Sequence, residues 1–199
     1  TFVHVMEQYM TTPGQSRIMD RWAEGILQTL VEIAPKIREN QHDYQLMADF
    51  MLSATMALNG FIAMGVSQDW ATHMIGHEIT ALHGLTHGHT LAIVLPATLQ
   101  VLHEEKGDKL LQYGERVWGI TSGTREERID EAICHTEEFF RSLGLTTRLH
   151  EENIGQVKGQ LHEMVPEGGV LLCVQHLQQC GGGVAPHVAA HLVDLVQHC

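Results

Sequence analysis

Histidine is concentrated in one short stretch of the chain. Between His73 and His89, five of seventeen residues are histidine. Imidazole is the commonest metal-binding side chain in proteins, and its charge changes closest to neutral pH. A cluster of this density therefore predicts a site that binds a metal ion or moves protons. We call residues 73–89 the histidine segment.

The spacing within the histidine segment predicts a helix that ends in a turn. Residues four apart share one face of a helix, so His73 aligns with His77. His73 and His87 are fourteen residues apart, which is about 21 Å along a straight helix. Ligands of one metal ion each approach it to about 2 Å. The chain must therefore turn if both bind one ion, and Gly84, with Gly88 close behind, gives it the freedom to do so.

Length, composition and charge limit the classes of protein. The chain has 199 residues, of which 44% are hydrophobic, so it can bury one sizeable core, and we predict a single domain over residues 1–199. The net charge of −12 argues against nucleic acid or an anionic membrane surface as a partner. No apolar stretch is long enough to span a bilayer.

The cysteines do not form a disulfide or zinc-binding pattern. None of the four has CxxC spacing: Cys134, Cys173, Cys180 and Cys199. We therefore expect reduced thiols and a cytoplasmic location.

Apolar residues recur at three- and four-residue spacing along most of the chain, which predicts an all-α fold. In the second helix Ile18, Trp22, Ile26, Leu27 and Leu30 fall on one side. Pro35 and the polar run 38–41 (Arg-Glu-Asn-Gln) are expected to close this unit. Asp69 or Thr72 is expected to cap the helix of the histidine segment. A buried helix should follow, interrupted or bent near Pro96. The predicted helices cover residues 4–10, 16–31, 44–59, the histidine segment up to Gly84, 90–102, 109–118 and 125–143.

Several of these segments resemble one family. The runs Trp70–Ile79 and His87–Pro96 resemble the metal-site signature of the iron-containing (group III) alcohol dehydrogenases. Residues 2–9 look like the preceding metal-ligand helix of that family. Lys109–Trp118 resembles the bacterial NADPH-dependent aldehyde reductase and butanol dehydrogenase branch. The likeness covers about residues 1–149.

The resemblance implies a fold and a set of site residues. The fold would be the multi-helix C-terminal domain of that family's dehydroquinate synthase-like architecture. A divalent ion, Fe(II) or Zn(II), would be held by His4, His73 and His87, with an aspartate ligand falling just ahead of Thr1. His77 would lie near the nicotinamide and the substrate, as the catalytic and cofactor-contacting residue.

The resemblance also implies an activity. A bound divalent ion acts as a Lewis acid, and hydride would pass between NADP(H) and a small aldehyde or primary alcohol. His77 could relay a proton. The family's N-terminal nucleotide-binding half has no counterpart in residues 1–199, so that half is an expected partner, and the chain alone should be nearly inactive. We further expect self-association through the face that bears His73 and His77, because cleft surface would be exposed.

Other interpretations stay open at this point. The chain could be a non-catalytic metal-binding or interaction protein that keeps the helical scaffold. His83 and His89 could support the site or face solvent. Residues 166–199 form a divergent tail, in which His187 and His191 are spaced as a second metal pair. A phosphohydrolase with a helical His-Asp pair is disfavoured, because His42-Asp43 lies in a polar connector.

Overall fold

The computed structural model of the chain describes residues 1–11, 13–14 and 16–152. Within these residues all regular structure is helical, which confirms the all-α prediction. A π-helical turn, Gly114–Trp118, follows α6, and a 3-10 turn spans Leu149–Glu152. No helix in these ranges combines the length and apolar character needed to span a bilayer. The helices are α1 Phe2–Tyr9, α2 Arg17–Glu39, α3 Tyr44–Leu58, α4 Ala71–His83, α5 His87–Val101, α6 Gly107–Tyr113 and α7 Arg125–Ser142.

Short polar side chains set the start of three helices. Ser16 accepts a hydrogen bond from the backbone of α2, and Asp43 does the same for α3. Thr124 and Glu127 form a reciprocal capping box at the start of α7. Each cap satisfies backbone N–H groups that have no partner within the helix. Asp43 therefore has a structural role, in keeping with the argument against a catalytic His-Asp pair.

The predicted end of α2 at residue 31 and part of its predicted buried face were wrong. The helix continues through Pro35 to Glu39, with Asn40 as its C-cap, so it ends within the polar run 38–41 that was expected to close it. A proline inside a helix removes one backbone hydrogen bond and crowds the preceding turn. The buried face of α2, which includes Leu30 and Ile33 in the turn before Pro35, holds the helix together despite this. Ile18 and Trp22 do not join the buried face, since they are 58% and 48% exposed.

The chain divides into two compact units, and the prediction of a single domain over residues 1–199 stays a prediction. The first unit comprises Thr1–Trp70 and His103–Leu145, and it contains α1, α2, α3, α6, the π-helical turn and α7. Its core includes Val5, Leu27, Leu110, Tyr113 and Ala132, which are fully or almost fully buried.

A buried polar network links three elements of the first unit. Lys109 Nζ donates to Asp20 Oδ1 over 2.7 Å, and both residues are buried. Gln112 Nε2 lies within hydrogen-bond distance of Tyr9, Asp20 and Glu24. Tyr9 belongs to α1, the two carboxylates to α2, and the amide and ammonium to α6. The network therefore sets the position of α1 by polar contacts as well as by apolar packing.

The second unit comprises Ala71–Leu102 and the segment from Thr146, of which the structure describes residues up to Glu152. Ile79, Ile93, Val94 and Leu149 form its apolar core. Three residues join α4 to α5, beginning with Gly84 at φ +71°. A left-handed backbone of this kind suits glycine, which has no Cβ to clash.

Both helices of the second unit differ in detail from their predictions. α4 begins at Ala71, so Thr72 lies within it and is buried, while the Asp69 carboxylate pairs with Lys106 Nζ at 2.7 Å. α5 begins at His87 and runs through Pro96 to Val101. Its residues from Thr90 to Leu99 are all buried. Because both sides of Pro96 are held by packing, the helix tolerates the lost backbone hydrogen bond.

Candidate metal site

The structure brings together three side chains of the histidine segment. His73 and His77 lie one turn apart on α4, and His87 is the first residue of α5. The ring centres of His73 and His87 are 5.1 Å apart, and those of His77 and His87 are 4.8 Å apart. The third distance, from His73 to His77, is 6.0 Å. The turn at Gly84 thus removes most of the separation that a straight helix would impose, as predicted.

A close contact between the two helices supports this arrangement. Gly76 packs directly against Leu91 and Thr90 of α5, where an added Cβ would have almost no space. Thr90 Oγ1 donates to the backbone carbonyl of His87 over 2.8 Å and lies 3.1 Å from Thr80 Oγ1. These contacts fix the first turn of α5 against α4, and with it the position of His87.

The three rings differ in their access to solvent. His73 is buried, His87 is half-buried and His77 is exposed. Burial lowers the pKa of His87, and the neighbouring charges of His73 and His77 lower it further. A lowered pKa keeps this imidazole neutral, with a lone pair free to bind a cation. His77, in contact with solvent, can exchange protons with water.

The donor chemistry of this cluster fits a transition-metal ion. Imidazole nitrogen suits Fe(II) or Zn(II) better than Mg(II) or Ca(II). Rings bound to one tetrahedral ion at about 2 Å have centres about 5 Å apart, which is close to the spacing of His73 and His87. Over residues 1–11, 13–14 and 16–152, however, no three His, Cys, Asp or Glu side chains already converge on one point. Binding of a metal ion would therefore require the imidazole rings to rotate about their χ2 angles, which have broad energy minima.

His4, the other ligand that the resemblance implies, lies in the first unit. Its ring packs edge-on against Trp70 at a centre distance of 5.8 Å. The carbonyl of His4 accepts a hydrogen bond from Gln8, one turn later in α1. Its assignment as a metal ligand, like those of His73 and His87, stays a prediction.

His89 has a supporting role within the second unit. Its Nε2 lies 2.5 Å from Thr146 Oγ1, which in turn donates to Glu152 Oε1 over 2.5 Å. These bonds tie the start of α5 to the segment from Thr146 to Glu152. Sequence reasoning left this role open, because both partners are more than fifty residues away along the chain.

The remaining predictions on histidine and cysteine have different outcomes. Cys134 is a free, exposed thiol, as expected. His83 is the last residue of α4 and is half-buried. The other three cysteines, the pair His187 and His191 and the tail 166–199 lie outside the described residues.

Comparison with known proteins gives a consistent result. Residues 1–168 match the profile of the Fe-containing alcohol dehydrogenase family, C-terminal. The NADPH-dependent aldehyde reductase YqhD of Escherichia coli K12 is 55% identical over 150 residues, which is 75% of this chain and 39% of that protein. The NADH-dependent butanol dehydrogenase A of Clostridium acetobutylicum is 34% identical over 160 residues, or 79% of this chain and 41% of that protein.

Solved structures agree with the sequence matches. The substrate- and cofactor-free form of E. coli YqhD superimposes with a TM-score of 0.83 at 42% identity, covering 98% of this chain and 50% of that one. The NADH-dependent butanol dehydrogenase A of Thermotoga maritima gives a TM-score of 0.78 at 23% identity, covering 98% and 50%, and this likeness shows the fold alone. The chain spans between 39% and 41% of the length of the curated relatives it matches.

The matched region includes α1 to α7 and all three clustered histidines. The family profile extends over most of the chain, and one relative is more than half identical across three quarters of it. The chain therefore belongs to the iron-containing alcohol dehydrogenase family and corresponds to its C-terminal part.

Proposed function

We propose that this chain is the metal-binding part of an NAD(P)H-dependent aldehyde reductase or alcohol dehydrogenase. The reaction would transfer hydride between a nicotinamide and a small aldehyde or primary alcohol. The observation that carries the proposal is that the ring centres of His73, His77 and His87 lie between 4.8 and 6.0 Å from one another, within the region matched to the family. The names of the relatives, an NADPH-dependent aldehyde reductase and an NADH-dependent butanol dehydrogenase, support this substrate class.

His73 and His87 are the proposed metal ligands in the second unit, with His4 as a further ligand. Fe(II) and Zn(II) are both compatible with imidazole donors. When bound, such an ion supplies Lewis-acid polarisation of a carbonyl or alcohol oxygen. The lowered pKa of His87 keeps its ring neutral for this purpose. Burial of His73 restricts its ring, which reduces the entropy lost when a ligand is fixed.

His77 is the proposed proton-transfer residue and the residue nearest the nicotinamide. Its ring lies 4.8 Å from that of His87 and is exposed to solvent. It can therefore take a proton from water and hold it at a ring nitrogen beside the proposed metal ligands. An imidazole ring nitrogen can both accept and donate a proton, which suits this side chain to the proposed role.

The partners in this proposal are a nucleotide-binding half, which would supply NADP(H), and the small aldehyde or alcohol. The curated relatives are more than twice as long as the regions that match this chain, which supports a second half. Without it we expect metal binding and very little turnover. The free thiol of Cys134 suits a reducing, cytoplasmic compartment.

Metal titration of the purified chain tests the ligand assignment. We expect one Fe(II), Zn(II) or Co(II) ion per chain, and each of His73→Ala and His87→Ala should weaken binding at least about tenfold. His42→Ala is the matched control, because His42 is exposed in the connector between α2 and α3. Unchanged affinity in both ligand variants would refute the site.

Complementation tests the activity. The chain would be mixed with a separately produced nucleotide-binding half of an E. coli YqhD-like relative, and NADPH oxidation by a short-chain aldehyde would be followed. We expect the mixture to recover turnover. His77→Asn should reduce this turnover without changing the metal content, which would support the proposed roles of His77 in proton transfer and beside the nicotinamide. A well-formed, metal-loaded complex without turnover would favour the non-catalytic alternative.

A further inference from the structure

The position of His4 depends on more than the short helix that carries it. α1 has eight residues, and a helix of this length is not stable by itself in water. The imidazole of a histidine can also rotate about χ2, whose energy minima are broad. A metal ligand at this position therefore needs contacts from other elements that hold both its backbone and its ring.

Gln8 holds the backbone of His4. The Gln8 side chain donates from Nε2 to the His4 carbonyl over 2.6 Å and to the Ala57 carbonyl, near the end of α3, over 2.7 Å. Gln8 is buried, so both bonds lie away from bulk water, where hydrogen bonds are stronger. This side chain therefore fixes the backbone of His4 relative to α3, and the direction of the imidazole ring depends on other contacts.

Trp70 holds the ring of His4. The two ring centres are 5.8 Å apart and the ring planes are inclined by 70°, which is the edge-to-face arrangement that aromatic rings favour. The indole N–H of Trp70 donates to Gln68 Oε1 over 3.0 Å, so a hydrogen bond orients the indole as well. A change in the direction of the imidazole would therefore have to displace an indole that is itself held in place.

Asp69, the residue before Trp70, is tied to α1 by its backbone and, through Lys106, by its carboxylate. The Asp69 N–H donates to the Glu7 carbonyl over 2.9 Å. The Asp69 carboxylate accepts from Lys106 Nζ over 2.7 Å, and the same ammonium donates to the Met10 carbonyl over 2.8 Å. These three bonds form a closed circuit that begins and ends on α1. We call Glu7, Met10, Asp69 and Lys106 the Lys106 clamp.

The charged side chains of the Lys106 clamp are shielded from water. Lys106 and Asp69 have side chains that are 13% and 20% exposed, so solvent and salt screen their attraction less than that of a surface pair. Met10 is the C-cap of α1, and carbonyl groups at the end of a helix lack partners within the helix and favour a nearby cation. One ammonium group therefore satisfies the end of α1 and holds Asp69 at the same time.

We propose that Lys106 is a positioning residue for His4: through Asp69 it holds Trp70 against the imidazole, and so it restricts the direction of that ring. The inference rests on the proposed function, in which His4 is a metal ligand. A ring that is already restricted loses less entropy when it binds a metal ion. Residues outside the ligand set commonly orient metal-binding histidines, and their mutation weakens metal binding by about 10- to 100-fold.

The position of the His4 ring can be measured by NMR in the absence of metal. In the full 199-residue chain with isotope-labelled histidine, the His4 signal is the one that His4→Ala removes. The ring current of Trp70 shifts this signal, so Trp70→Leu should move it, and Lys106→Met should move it in the same direction.

Two variants control the NMR measurement. Lys106→Arg keeps a cation with several N–H donors and should move the His4 signal much less than Lys106→Met. Thr124→Ala removes the N-cap of α7 in the same unit, so it lowers stability without a change in the Lys106 clamp, and it should leave the signal in place. A His4 signal that Lys106→Met does not move would overturn the proposal.

Zn(II) titration of the same variants tests the consequence for metal binding. Lys106→Met and Trp70→Leu should each raise the dissociation constant at least about tenfold, whereas Lys106→Arg, Trp70→Phe and Thr124→Ala should change it less than about twofold. The double variant with Lys106→Met and Trp70→Leu should bind no more weakly than Trp70→Leu alone, because Lys106 acts through Trp70. Additive losses would show that Lys106 acts by another route, and would overturn the proposal.

His4→Ala separates this inference from the proposed function. If His4→Ala weakens Zn(II) binding and Lys106→Met does not, the ligand assignment stands and the inference is wrong. If His4→Ala leaves the affinity unchanged, His4 is not a ligand, and both the assignment and the inference fail. Should Lys106→Met not fold, Asp69→Asn replaces it, because this change removes the charge and keeps the side-chain volume. Asp69→Asn should move the His4 signal and weaken Zn(II) binding, and no change in either would overturn the proposal.

Discussion

Gly76 of α4 approaches Leu91 of α5 so closely that a Cβ on Gly76 would lie 3.0 Å from Leu91 Cδ2. The Thr90 hydroxyl oxygen would lie 3.3 Å from the same Cβ. Leu91 is buried, so it has little space in which to move. Because Gly76 precedes His77 and Leu91 follows His87 by one turn, this contact also controls the spacing of the two imidazoles.

Enlarging Gly76 should therefore affect both stability and the proposed site. We expect Gly76→Val to lower the free energy of unfolding by about 2–3 kcal/mol, because overpacking forces helices apart. Gly76→Ala should change it little, since a gain in helix propensity of about 1 kcal/mol offsets the tight contact. Urea unfolding measures both, and metal titration of Gly76→Val should show weaker binding.

Gly25 of α2 provides the control for this series. An added Cβ at Gly25 would meet nothing within 4 Å. Gly25→Ala should thus stabilise the chain by about 0.5–1 kcal/mol, through helix propensity alone. Equal losses for Gly76→Val and Gly25→Val would contradict the packing explanation.

Tyr113 should make the first unit unstable to alkali. Burial raises the pKa of Tyr113, whereas an unfolded tyrosine ionises near pH 10. Above about pH 10 the unfolded state loses this proton first, so the free energy of unfolding should fall, by up to about 1.4 kcal/mol per pH unit. Below that pH the contribution is fully present.

Unfolding of Tyr113→Phe from pH 8 to 11 checks this prediction. The slope above pH 10 should decrease in Tyr113→Phe, while Tyr44→Phe, which removes an exposed phenol, should keep it. At pH 7 the loss of the hydrogen bond between Tyr113 and Thr136 should cost about 1 kcal/mol. Thr136 still donates to Ala132 in that variant. An unchanged alkaline slope in Tyr113→Phe would show that another group titrates.

Mutations of Lys109 and Asp20, which form a buried ion pair, should have strongly coupled effects on the free energy of unfolding. Lys109 Nζ is buried, 2.7 Å from Asp20 Oδ1 and 3.9 Å from the centre of the Tyr9 ring. We expect Lys109→Met to cost about 3–5 kcal/mol, because it leaves a buried carboxylate without its cation. Adding Asp20→Asn should recover part of that loss, which a double-mutant cycle of urea unfolding would measure.

A surface pair gives the matched comparison. Lys36 and Glu32 are 3.0 Å apart, and both side chains are more than half exposed. Lys36→Met should therefore cost no more than about 1 kcal/mol. Similar losses for Lys36→Met and Lys109→Met would mean that burial does not govern the energy of the pair.

The contribution of the α7 capping box to the free energy of unfolding should be measurable as well. Thr124 Oγ1 accepts from the Glu127 N–H, and Glu127 Oε2 accepts from the Thr124 N–H. Thr124→Ala should cost about 1 kcal/mol in urea unfolding at pH 7, and Thr124→Ser much less. Thr86→Ala is the control, because Thr86 precedes α5 without a side-chain cap.

Ionisation of Glu127 should make the stabilisation by this capping box depend on pH in the acid range. The hydrogen bonds to Thr124 lower the pKa of Glu127. Its contribution is therefore present above the ordinary carboxyl pKa and is lost as the pH falls through the lowered value. Glu127→Gln should flatten that part of the acid unfolding profile. A profile identical to that of the wild type would assign the acid sensitivity to other carboxylates.

Much of the architecture could be predicted from periodicity, because apolar spacing and breaking residues report on local structure. The turn at Gly84 followed from a distance argument alone, and the ring distances agree with it. The continuation of α2 through Pro35 could not be predicted, since it depends on packing by residues from other elements. The resemblance identified the family, which no pattern of spacing would have done.

Long-range polar contacts were the least predictable part of the molecule. Lys109 meets Asp20 across 89 residues of sequence, and no local pattern marks the pair. His89 meets Thr146 across 57 residues for the same reason. Whether Trp22 would be buried also depended on partners far along the chain, and here the expectation from helical periodicity was wrong.

The linker between α4 and α5 restricts how the chain can change in length. Only residues 84–86 separate the helices, and they must carry the backbone from His83 to His87. An inserted or deleted residue in so short a linker would shift the start of α5 and move His87 relative to His73 and His77. Length variation among related sequences should therefore be absent from this linker, and the segment between α3 and α4 is the place to look for it.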